Sequence, residues 1–235
     1  MMRGLSVCAG ILLLWLAQPE ARSGAGPSHP PEGGPLVPIL GGFRPLVSEL
    51  LFLRFHLHLD RGEHQRLLDD ASSILQLWPD SDVTWTYFAE LFCLDLPAAL
   101  DSTANRRQWA LAGLNLFDRG VEKLPDSHLL HYRRGMTLRL LLKHQPQLVV
   151  AENEEPMEVK SRILVDLERA ADLVPGDAAM LKIIHEDLAD QLVELLRDPS
   201  APEDLKSSCR RRARWLLEER RLSAGAGREL MSLCR

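Results

Sequence analysis

Eight histidines and several neighbouring carboxylates are the residues of this chain whose types and spacing could do chemistry. His128-x-x-His131 has a spacing that can share one helix face, and helical histidine pairs bind transition metals. No Glu stands between the two, as a metalloprotease helix requires. They are therefore expected to be exposed or half-buried polar residues. His56-x-His58 has a spacing of two, which sends the rings to different faces of a helix. Asp69-Asp70 and Glu218-Glu219 are adjacent on helices, diverge, and are expected to be solvated rather than an acid–base pair. There is no Gly-x-Ser-x-Gly elbow and no glycine-rich loop ahead of a Lys-Ser or Lys-Thr. The absence of a Cys-x-x-Cys spacing argues against a zinc site of thiolates. Arg210-Arg211-Arg212-Ala213-Arg214 could touch phosphates or anionic headgroups. Trp215-Leu216-Leu217 comes directly after it, however, and Glu218 stands four residues after Arg214, so a salt-bridged, exposed helix face is expected. No catalytic residue, cofactor or metal is assigned, and the expectation is a non-enzymatic protein.

The elements that carry these residues are helical. The 235 residues are 46% apolar and 26% charged, enough for a core and too hydrophobic for general disorder. Leu and Ala dominate, which favours helix. A net charge of −5 provides no general attraction to nucleic acid or anionic lipid. Periodicity and punctuation predict helices over 45–59, 63–77, 82–94, 105–123, 127–144, 157–173, 178–197 and 203–222, with a last short turn over 227–233. Loops are expected around Asp95-Leu96-Pro97 and over Gln145 to Pro156, where Glu152, Glu154 and Glu155 cluster.

The first residues are of another kind. Arg3 precedes the apolar run Leu5 to Ala17, which is shorter than the roughly 20 residues of a membrane span. Ala21-Arg22-Ser23 offers a cleavage site before Gly24. Residues 1–23 thus read as a secretory signal peptide, the other reading being an uncleaved anchor. Residues 24–41 are rich in Pro and Gly and read as a linker. Export would place the chain outside the cytoplasm, periplasmic or secreted, in an oxidising compartment. Cys93, Cys209 and Cys234 would remain. Cys93 is expected to be a small buried side chain, and Cys209 and Cys234 flank the C-terminal helix, where they could pair.

Three helix breaks share a pattern: Trp78-Pro79-Asp80, Leu124-Pro125-Asp126 and Val174-Pro175-Gly176-Asp177. The prolines recur 46 and 50 residues apart. After Pro79 come Trp85, Phe88, Ala89 and Phe92. Before Pro125 come Gly113, Phe117 and Gly120, and Gly135 lies beyond it. Before Pro175 come Ile163, Leu167 and Ala170. Small residues that let helices approach, aromatics beside them and a closing Pro resemble the tetratricopeptide repeat, a helix–turn–helix unit of 34 residues. The units here are longer, with the excess at Leu94–Ala104 and His144–Met157. A fourth unit is degenerate, with His185 at its small position. GGFRPLVSELLFLR ahead of the Trp-containing unit is also similar to exported bacterial repeat proteins of unassigned activity. The alternative to a repeat is an irregular antiparallel α-bundle.

The resemblance implies an all-α, tetratricopeptide-like helix–turn–helix solenoid over 42–222, with long intra-repeat loops and a C-terminal capping helix. Its units are 45–81, 82–127, 128–177 and a degenerate 178–222, with a tail, 223–235, at the end. In that family the first helix of each unit lines a concave groove for a partner segment. The corresponding residues are Phe52, His56, Thr86, Glu90, Tyr132, Met136, Arg139, Lys182 and Glu186. A mixed, partly apolar groove suits a protein or peptide partner and no nucleic acid. Membrane association would run only through an uncleaved N-terminal segment. The rival readings are a structural subunit of an exported or membrane-linked assembly, and a helical metal-dependent enzyme using His128 and His131.

Overall fold

The computed structural model describes residues 41–150, 155–174, 178–218, 222 and 224–234, all within the compact unit Gly33–Arg235. The expected signal peptide, the linker up to residue 40, Glu152, Glu154 and the turn residues Pro175, Gly176 and Asp177 lie outside the described residues. Among the described residues every regular element is helical. A 3₁₀ turn, Gly41–Phe43, leads into α1 (Arg44–Asp60), and α2 (His64–Leu77) comes next. α3 (Asp82–Glu90) runs on through a π-helical turn, Leu91–Asp95, into one more α-turn, Leu96–Ala98. Then come α4 (Thr103–Lys123), α5 (His128–His144), α6 (Pro156–Leu173), α7 (Ala178–Arg197), α8 (Glu203–Glu218) and α9 (Ala224–Leu233).

Local chemistry sets the helix ends. Ser81 and Ser127 each cap a helix, their hydroxyls accepting from the backbone N–H three residues on at 3.3 Å. The Pro79 carbonyl accepts from Trp85 Nε1 at 2.9 Å, and the Pro125 carbonyl lies 3.2 Å from His131 Nε2. The two rings stand at the same offset, six residues after the proline. Ser127 Oγ also donates to Asp82 Oδ2 at 2.8 Å, tying one Pro-Asp-Ser turn to the helix start of the other. Between α1 and α2 the chain reverses at Gly62, whose φ of 67° favours a residue without Cβ.

Consecutive helices pack as pairs: α1 with α2, α3 with α4, α5 with α6, α7 with α8. First helices also touch first helices. Phe52 and Phe55 of α1 meet Phe88 of α3, with ring centroids 5.8 and 5.1 Å apart. α3 packs on α5, and Tyr132 of α5 donates to Asp187 of α7 at 2.8 Å. Second helices do likewise: His64 of α2 meets Trp109 of α4 at 6.1 Å, and Arg212 of α8 lies 3.4 Å from Asp172 of α6. A main core runs through the array, with Phe55, Phe88, Phe92, Phe117, Ile163, Leu167 and Leu188 fully buried, and a second small cluster joins Ala170, Ala171 and Ile184.

Three expectations need correction. The loop expected around Asp95-Leu96-Pro97 is helical, because Phe92, Cys93, Leu96 and Pro97 are buried there. Pro97 stands in the short α-turn that directly follows the π-helical one. The turn and tail expected after residue 222 form the ten-residue α9, which packs on α7 and α8 and buries Leu230. Within the loop after α5, Pro146–Leu148 forms a 3₁₀ turn that sends Leu148 and Val149 into the core.

Among the described glycines, Gly113 has the tightest surroundings. A Cβ there would lie 2.5 Å from Cys93 Sγ, 2.6 Å from the Ala89 carbonyl and 2.7 Å from the Cys93 nitrogen. Gly113→Ala is expected to lower the unfolding free energy by about 1–3 kcal/mol, the usual overpacking cost. Gly225→Ala, where a Cβ meets nothing within 4 Å on a helix, is expected to raise it by about 0.5–1 kcal/mol. Urea denaturation of the two variants checks both signs.

Candidate functional site

Of the nine residues assigned to a groove, one is buried and eight are half-buried or exposed. Thr86 is only 6% exposed, because α3 is flanked by α1, α4 and α5. Its place in a groove is withdrawn. Phe52 is half-buried and stacked on Phe88. His56 is half-buried, its Nδ1 2.8 Å from the Phe52 carbonyl. Glu90 pairs with Arg133 of α5 at 2.8 Å, and burial raises its pKa against that guanidinium. Tyr132 donates to Asp187, whose own pKa is raised by burial against this bond and the Arg139 charge. Glu186 is half-buried and Lys182 exposed.

Met136 and Arg139 belong to a cleft between the C-terminal half of α5, the start of α6 and the end of α7. Its volume is about 680 Å³. Apolar surface comes from Met136, Leu140, Leu142, Pro146, Pro156 and Ile163, and charge from Arg139, Lys143, Lys160 and Glu194. Arg139 is braced by Asp187 and Asp190 at 3.5 and 3.7 Å. Lys160 bonds to Asp198 at 2.7 Å and lies 3.4 Å from Glu194. Burial alone would lower the Lys160 pKa, and those two carboxylates reverse the shift, so its ammonium is held charged. The hydrogen bonds from Lys160 and then Ser200 hold Asp198 well below the usual carboxylate range.

Gln191 of α7 also borders this cleft. It is fully buried, and neither its amide nitrogen nor its amide oxygen has a hydrogen-bond partner. An orphaned buried amide costs about 1–3 kcal/mol, so it is retained against a penalty. Sequence reasoning missed it. The signal was there: Ile184, Leu188, Gln191 and Leu195 keep helical spacing on one apolar stripe, and all four are fully buried.

Two further carboxylates escape sequence reasoning, and one of them, Asp70, corrects the expectation of a solvated charge. Asp70 of α2 is buried and receives Arg54 Nε at 2.8 Å, with His58 Nδ1 2.7 Å away. Asp166 of α6 is buried and receives Arg134 Nε at 2.8 Å, with His131 Nδ1 3.3 Å away. His131 is therefore buried, not the exposed or half-buried residue expected. Each Asp lies nine residues before the closing proline of its segment, Pro79 or Pro175. Each joins an Arg and a His of the preceding helix. Among the described residues no three His, Cys, Asp or Glu side chains gather as a metal site would need. Cys93, Cys209 and Cys234 are free thiols, and burial pushes the Cys209 thiol up to about 11. In the basic run, Arg210 pairs with Glu203 at 2.6 Å while Arg212 reaches Glu168 and Asp172 across to α6.

Fold and site together define an all-helical protein built from packed helix pairs. Compared with protein-family models, curated proteins and solved structures, the chain matches none.

Asp166→Ala leaves Arg134 and His131 without their buried partner and is expected to cost about 3–5 kcal/mol in urea unfolding. Tyr132 provides a pH signature. Burial, then its bond to Asp187, raises its pKa to about 12. The fold favours the neutral phenol. The contribution of Tyr132 is thus complete below the ordinary tyrosine value near 10 and is lost as pH rises through about 12. In a Tyr87→Phe variant, ultraviolet titration of the remaining tyrosine is expected to have its midpoint near 12, not 10.

Proposed function

We propose that this chain is a non-enzymatic binding protein that takes an extended peptide segment of another protein into the cleft between α5, α6 and α7. The observation that carries this reading is Gln191. Its amide carries a donor and an acceptor side by side, the complement of a peptide group, and meets a bound segment once the side chain turns from its buried position into the cleft. A partner that supplies both bonds recovers the cost of leaving them unmade. The apolar side chains around it suit alternate side chains of such a segment, and Arg139 and Lys143 suit polar or acidic groups at its edge.

The wider architecture is read as a tetratricopeptide-like solenoid. Its support is the pairing of helices, the contacts of first helices with first helices, and the recurrence of the Pro carbonyl and buried-Asp arrangements. The concave-groove assignment narrows to Met136 and Arg139, with Tyr132 acting through Asp187 to brace Arg139. An extracytoplasmic location rests on the apolar run and cleavage pattern of residues 1–23. Among the described residues no helix is long and apolar enough to cross a membrane.

Peptide display against the full chain tests the proposal, with Gln191→Met and the double variant Met136→Ala/Arg139→Ala as comparisons. Gln191→Met is expected to raise the unfolding free energy by about 1–3 kcal/mol, since the orphaned amide is gone. It is also expected to weaken the selected peptides at least tenfold. The double variant is expected to weaken them about 30-fold or more, the effect of losing two central contacts. Peptides that bind both variants as tightly as the natural chain would refute the site.

A further inference from the structure

We infer that α1 is a self-association surface on which a second copy of this chain docks. α1 is apolar on two opposite faces. One face, with Phe55 and Ser48 buried on it, packs against α2 and α3. The other carries Phe43, just ahead of the helix, then Leu46, Leu50, Leu53 and Leu57, which are 70, 53, 59, 59 and 43% exposed. A helix with two apolar faces needs a neighbour on each, and among the described residues α1 has one on only one side. The five residues are spaced in steps of three, four, three and four. That is the a/d seam of a two-helix supercoil, with a mean period of 3.5. The pattern therefore asks for a second helix carrying the same seam.

A second copy supplies that seam. The apolar run Leu5 to Ala17 is continuous rather than heptad-spaced, and five prolines stand from Pro27 to Pro38. The stripe amounts to roughly 500 Å² of apolar surface, near the top of the range for the largest patch on an ordinary monomer. Two copies facing each other would remove roughly 1,000 Å², the threshold for a specific interface. Charge at the seam's edges agrees. With the two α1 helices parallel, Glu49 of one copy comes opposite Arg54 of the other, and the two-fold repeats the pair. Arg54 keeps its bond to Asp70, and its side chain is still 52% exposed.

Sedimentation equilibrium of the full chain should return twice the 26.5 kDa monomer mass. Leu50→Glu/Leu53→Glu should weaken the dimer at least 100-fold at unchanged helicity, since both side chains point to solvent in one copy. In a Cys8→Ser/Cys234→Ser background, Leu50→Cys should form a disulfide-linked dimer on mild oxidation, while Cys at exposed Leu140 should not. A monomeric full chain, a dimer that survives Leu50→Glu/Leu53→Glu, or equal crosslinking at both positions overturns the inference.

Discussion

The contact of α3 with α4 at Gly113 is the constraint on which the rest of this structure depends. With no Cβ at Gly113, the backbone of α4 sits directly on the Ala89 carbonyl and the Cys93 nitrogen. The π-helical turn over Leu91–Asp95 lies at this contact, and Cys93 Sγ donates to the Ala110 carbonyl across it at 3.4 Å. One extra residue in that turn rotates the next one about the helix axis, so Leu96 and Pro97 enter the core instead of starting a loop. Gly120 keeps Trp85 and Leu130 close, each 3.3 Å from where its Cβ would lie. Phe92 meets Trp109 at 5.2 Å, which carries the aromatic cluster of α1 and α3 over to α4. Close backbones thus set the spacing of the central pair, and the outer pairs build on it.

The flanking pairs α1–α2 and α5–α6 use another device. Gly135 admits Asp166, whose Cβ would be 3.1 Å from an added Cβ there, and the carboxylate then gathers Arg134 and His131. Arg134 reaches on to Asp118 of α4 at 2.8 Å, so one guanidinium joins three helices. Asp70 with Arg54 and His58 repeats the arrangement between α1 and α2. In the central pair the equivalent position is the buried apolar Leu116, nine residues before Pro125. A buried ion pair adds little net stability over well-packed apolar groups, yet removing one partner is costly. The two arrangements therefore act mainly on register: they fix how far one helix slides along the next.

Helix positions were legible in the sequence because their signals are local. Leu and Ala periodicity and the proline breaks each act within a turn or two. The helical course of Leu94 to Ala98 was not legible, since it is decided by packing against Gly113, far along the chain. Asp70 looked solvated beside Asp69, and only the fold brings it Arg54 from the preceding helix. Thr86 has the right spacing from Glu90 to share a helix face, but a third neighbouring helix covers that face. Met136 and Arg139, three residues apart on α5, were assigned to a groove by resemblance, and both line the cleft. Gln191 was visible only as an odd residue in an apolar stripe, and the cleft it borders exists only once α7 has packed.

Gln191 is where fold and proposed function meet, so its side-chain amide is the most direct witness. In a nitrogen–proton correlation spectrum, its NH₂ pair is assigned by loss in Gln191→Met and monitored on titration with a display-selected peptide. The account predicts that this pair shifts as peptide binds, in step with the Met136 methyl. Binding that leaves the Gln191 amide unmoved, or an amide already protected by a trapped water in the free protein, would contradict it.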